Sequence, residues 1–189
     1  STSSTDEAGR FQPVLNAEDC LFDQVAVPNG LARLTYTTVL ALFGGRLLEA
    51  SDTIFVTDLT LERGTEVHPH CIRFCRIPGG LAVAFVRAMA NTTETPVFYE
   101  FEFDEGGQVV RRRPDFGEPG CATLHPATAE AIRFGAEDGG EMGAYHGRRY
   151  SMLLAAVQDK LNDFLPVGME AVVVPDLRLH RLPREACVE

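Results

Sequence analysis

The chain has 189 residues, 45% of them hydrophobic and 23% charged, which is enough apolar material for one sizeable core and too much for wholesale disorder. Its formal net charge of −10 excludes a generally basic surface, and with it nucleic acid or an anionic membrane as a broad partner. Lys160 is the single lysine and arginine supplies the other cations, a usage typical of GC-rich bacterial genomes, so arginine position is more informative than arginine number.

No apolar run is long enough to span a bilayer, and the start, STSSTDEAGRFQP, has neither a basic n-region nor an apolar h-region. The five cysteines (Cys20, Cys71, Cys75, Cys121 and Cys187) are odd in number and scattered, which does not suggest a disulfide framework. Reduced thiols and a cytoplasmic location are the expectation.

Residues 1–19 are polar and turn-rich and read as a flexible N-terminal tail, with 20–189 forming a single domain. CLFDQVAV (20–27) suits a short first strand, ended by the Pro28-Asn29-Gly30 turn. LARLTYTTVLALF (31–43) is rich in β-branched residues and places Leu34, Tyr36, Leu40 and Leu42 on one apolar face. TIFVTDLTLE (53–62), the GTEVHPHCIRFC stretch (64–75) and LAVAFVRAMA (81–90) continue the series, separated by glycine and proline turns. VFYEFEFDEGGQVVRRR (97–113) is the clearest hairpin, and cross-strand pairing with Glu100 and Glu102 accounts for its three arginines.

After Pro114 the pattern changes. HPATAEAIRF (125–134) predicts a short helix with Pro126 in its first turn and Gly135 after its end. AEDGGEMG (136–143) reads as a flexible acidic connection. RRYSMLLAAVQDKLNDFL (148–165) has helical apolar spacing and stops at Pro166, and MEAVVVPDLRLHRL (169–182) returns to strand. No internal repeat is evident. The expected fold is α+β: a curved antiparallel meander or barrel-like sheet, one long C-terminal helix and a final strand.

Candidate chemistry starts at His68 and His70. In a strand they share a face, with Glu66, Ile72 and Phe74, while Cys71, Arg73 and Cys75 take the other, so the four potential ligands cannot meet one ion. H-x-H spacing suits two ligands of a divalent transition metal, with further ligands from elsewhere; His125 and His146 are available. Arg87 lies among Leu81, Val83, Phe85 and Met89, where it needs a carboxylate partner or an anionic ligand. Asp176, Arg178 and His180 alternate onto one face, an arrangement in which Asp176 can orient His180 as a general base while Arg178 binds substrate.

Over 64–80, a glycine followed by His68-Pro69-His70 resembles the first motif of the cupin family. The resemblance implies a metal in a barrel; the family's following Glu is replaced here, since 73–76 are Arg, Phe, Cys and Arg, and no second motif follows. No nucleotide-binding glycine loop, nucleophile elbow or H-E-x-x-H is present. Two readings result: a small-molecule-binding enzyme, metal-assisted through His68 and His70 and acting on an anionic ligand, or a non-catalytic ligand-binding or homodimeric assembly protein.

Overall fold

The computed structural model of the chain describes residues 13–66, 68–79, 86–100, 102–103, 109–110, 114–118, 120–146, 157, 159–166 and 169. From β1 (Pro13–Glu18) through β2 (Leu21–Thr35), β3 (Thr38–Ser51), β4 (Ile54–Phe55), β5 (Asp58–Leu61), β6 (His70–Arg73) and β7 (Val86–Met89), every pairing is parallel. The chain winds as a β-solenoid. Each coil lays down two runs of strand, so that one stack holds 21–27, 38–45 and β4 with β5, and the other holds β1, 31–35, 47–51, β6 and β7.

The corner between coils recurs at a fixed place. Asp19, Tyr36, Asp52, Phe74 and Ala90 all take positive φ, between 45° and 54°. Such left-handed conformations are uncommon for residues other than glycine. The next residue donates its side chain back across the corner in four successive coils: Cys20 to the Glu18 carbonyl at 3.1 Å, Thr37 to Thr35 at 3.0 Å, Thr53 to Ser51 at 2.9 Å and Cys75 to Arg73 at 3.0 Å. A small hydroxyl or thiol donor thus satisfies the carbonyl that the left-handed residue turns inward. Asn91 ends the column by accepting from the Cys75 N–H and donating to the Ile72 carbonyl, both at 2.8 Å.

Inside the coils, residues in register fill the interior. Ala17, Leu34, Ala50 and Ile72 stack in one column and are all buried, small alternating with large so that successive rungs interlock. Burial of the larger members stabilises by about 1.5–3 kcal/mol each.

This architecture replaces the expected antiparallel meander or barrel-like sheet with a long C-terminal helix, and with it the α+β class. Glycine and proline turns between β-branched runs look the same whether the chain doubles back or turns a corner and climbs one coil. What separates the two is the left-handed conformation at Tyr36 or Phe74, residue types that carry no turn signal. The corner at Tyr36 also splits the strand expected over 31–43 and switches its alternation, so Val39 and Phe43 face the core in place of Leu40 and Leu42. The coil period itself, 16–18 residues, is the repeat that residue identity conceals.

Antiparallel pairing does occur in the expected hairpin, where β8 (Glu102–Phe103) pairs with β9 (Val109–Val110). The helix expected over 125–134 shortens to α1 (Glu130–Arg133). Of 148–165, residues 157 and 159–162 are helical, while 147–156 and 158 lie outside the described residues. No described helix is long and apolar enough to cross a membrane.

A second core forms where Phe98 and residues of 121–145 pack on the solenoid, with Ile54 and Tyr36 meeting Phe98, Leu124, Ile132 and Met142. Gly143 makes this docking close: its φ is +92°, its N–H bonds the Asp52 carbonyl at 2.8 Å, and a β-carbon there would lie 2.5 Å from the Thr38 hydroxyl and 2.9 Å from Ile54. Gly143→Ala combines left-handed strain with overlap, and a loss of about 2 kcal/mol is expected in urea unfolding.

Candidate functional site

His68 and His70 stand in different settings. The pairing interval from β3 to β6 is 22 residues, against 16 from β3 to β4 and from β6 to β7, because the chain makes a six-residue excursion after Leu61. His68 lies in the turn of that excursion, where Thr65 and His68 bond each other through backbone and hydroxyl groups. His70 ends the excursion and points into the solenoid, fully buried. Its Nδ1 accepts from the Leu48 N–H at 3.2 Å and its Nε2 contacts the Glu62 carbonyl at 2.8 Å. Both bonds are satisfied together by the neutral ring protonated on Nε2. Burial lowers the His70 pKa below the ordinary histidine value, against an opposing contribution from the Glu62 carbonyl. The ring therefore fastens the foot of the excursion to the coil beneath it, with both nitrogens engaged by the chain.

Arg87 stands on the exposed outer face of β7, in register with Cys71. Asp176, Arg178 and His180 lie outside the described residues, as do the three arginines at 111–113. His125 accepts from the Ala127 N–H at 3.0 Å and meets Tyr99 edge-on. Among the described residues no group of three or more His, Cys, Asp or Glu side chains is placed to hold a metal ion. Cys71 is disulfide-bonded, which corrects the reduced state expected of it, while Cys20, Cys75 and Cys121 are free. Cys75 is fully buried, and that burial pushes its thiol far above the ordinary range, away from nucleophilic use.

The acidic segment 136–143, expected as a flexible connection, is a docked element. Arg73 bonds Glu137 at 2.8 Å, and the Glu137 N–H donates to Asp52 at 2.6 Å. Asp52 also takes the Ser51 hydroxyl. Burial raises the Asp52 pKa, and the bonds from Ser51 and Glu137 oppose that rise. His146 stacks on Tyr36 with ring centroids 3.9 Å apart, its Nδ1 2.8 Å from the Glu141 carbonyl and its Nε2 3.0 Å from Asp138. Arg76 reaches the Glu94, Phe55 and Val56 carbonyls at 2.8, 2.5 and 2.6 Å, tying two coils and the following loop together. These charged and imidazole groups fix elements to one another. None of them lines the grooves at Phe22 and Val25, at Leu40 and Phe116, or at Gly45 and Leu61.

The open feature is the first coil. β1 pairs with 31–35 only, so within the described residues no strand covers the outer edge of 21–27. A groove of about 540 Å³ lies there, lined by Val14, Leu15, Phe22, Val25 and Val27 among others. Val25 and Val27 belong to the solenoid core and Phe22 packs against it, so the groove opens directly onto core side chains. Val14 is 58% exposed at its rim. Backbone donors and acceptors along an apolar seat are what an incoming strand requires. No sequence motif marks this seat.

Comparison with protein-family models, curated proteins and solved structures finds no match to this chain.

Proposed function

We propose that the chain is a non-catalytic binding protein that accepts an extended polypeptide segment as an added strand on its first coil. The observation that carries this reading is the edge of 21–27, which no described strand covers, beside a groove floored by core residues. Main-chain hydrogen bonds would supply affinity, and side chains on alternate residues would enter the groove beside Phe22, Val25 and Val27. The commitment of His70, Arg73, Arg76, Asp52 and His146 to internal bonds supports binding over catalysis.

The test uses three capped nonapeptides with valine at alternate positions and serine, arginine or glutamate between. Amide hydrogen exchange is followed across the whole protein. At least one peptide is expected to slow exchange in 21–27 while leaving β6 unchanged. If none of the three slows exchange in 21–27 at millimolar concentration, the reading is wrong.

A further inference from the structure

Resting on that reading, we infer that the strand received by the first coil is cationic, with arginine or lysine on the residues that face away from the groove. The described first coil, 13–32, contains Glu18, Asp19 and Asp23 and no arginine, lysine or histidine. All three carboxylates are exposed, whereas Val25 and Val27 beneath the edge are buried. In the next coil Arg33 is already bonded to Glu49 at 2.9 Å, and Arg46 stands at the other corner, beside 28–30 and away from Glu18 and Asp19.

The charge also selects among occupants. A second copy joined at this edge about a twofold axis would bring its own Glu18, Asp19 and Asp23 to the same seam, and like charges would meet. The chain's net charge of −10 works in the same direction at longer range. A basic extended segment of another protein removes that conflict and gains from it.

The experiment compares the arginine and glutamate nonapeptides on the full chain by titration calorimetry at low and moderate salt, with hydrogen exchange on the same samples. The arginine peptide is expected to bind about tenfold more tightly at low salt, as a few exposed ion pairs allow, with the ratio falling as salt rises. In the triple variant Glu18→Gln/Asp19→Asn/Asp23→Asn the two peptides should bind within about twofold of each other. These carboxylates are on the surface, and asparagine tolerates the left-handed conformation of residue 19, so the variant should retain the fold.

Equal binding of both peptides, or tighter binding of the glutamate peptide, overturns the charge inference and leaves strand addition standing. Absence of protection by either peptide removes both. Amides of 21–27 already protected in the free protein, whether by a dimer seen in sedimentation or by the chain's own N-terminal segment in a monomer, also overturn it.

Discussion

His70→Ala is expected to lower the stability of the protein by about 3–4 kcal/mol in urea unfolding. The change leaves the buried Leu48 N–H and the Glu62 carbonyl without their ring partners, and stranding buried groups of this kind costs about 1–3 kcal/mol. The space vacated by a ring buried among core residues adds a cavity contribution. The loss should be local in its first effect: exchange in 62–69 accelerates before the rest of the solenoid opens.

The same residue gives the protein a pH dependence whose sign follows from its burial. The folded-state pKa of His70 is lowered, so the unfolded chain takes up a proton first as pH falls below about 6.5. Its contribution is therefore fully present above that value and declines as pH falls toward the folded-state pKa. His70→Gln, which can still offer one donor and one acceptor, should flatten the slope just below about pH 6.5 while losing less stability than alanine. Asp52 acts in the opposite sense: its raised pKa makes the folded state the stronger proton binder above the ordinary aspartate value, so its contribution diminishes as pH rises through that interval.

Arg76→Met is the second large effect, with an expected loss of about 3–5 kcal/mol. Methionine preserves much of the aliphatic volume yet leaves the Phe55, Val56 and Glu94 carbonyls without the guanidinium that bridges them. Hydrogen bonds to a charged donor contribute about 1.5–3 kcal/mol each, and part of that is returned because a costly buried cation is also removed. Burial lowers the Arg76 pKa, in keeping with that cost. Thermal unfolding of Arg76→Met and Arg76→Lys separates the two contributions. Lysine keeps a charge but cannot form the planar fork, and it should recover only a minor part of the loss.

The strands of this fold were legible in the sequence and their connection was not. Strand occurs within the runs 20–27 and 53–62, although the first continues through 28–30, and 102–103 pairs with 109–110 inside the expected 97–113 hairpin. Parallel against antiparallel pairing depended on corners such as those at Tyr36 and Phe74, residue types that ordinarily continue a strand. The retrievable signal was the residue that follows each corner, Cys20, Thr37, Thr53, Cys75 and Asn91, a column of small donors spaced 16 or 17 residues apart except across the 22-residue coil.

The reading of GTEVHPHCIRFC was altered by the same geometry. Strand alternation separates His70 from Cys71, but the corner at Phe74 reverses the faces, so Cys75 joins the solenoid core while Cys71 and Arg73, also buried, take the opposite face of β6. The open seat on the first coil had no counterpart in residue patterns.

The unequal coils also have a mechanical consequence. A solenoid coil contacts chiefly its neighbours, so tension applied along the chain peels coils from an end in sequence and does not load the whole core at once. An ordinary coil of 16 residues releases about 55 Å of contour, whereas the 22-residue coil carrying the excursion releases about 75 Å. The foot of that longer length is held by the His70 ring across Leu48 and Glu62, which makes the imidazole the shear pin of the solenoid.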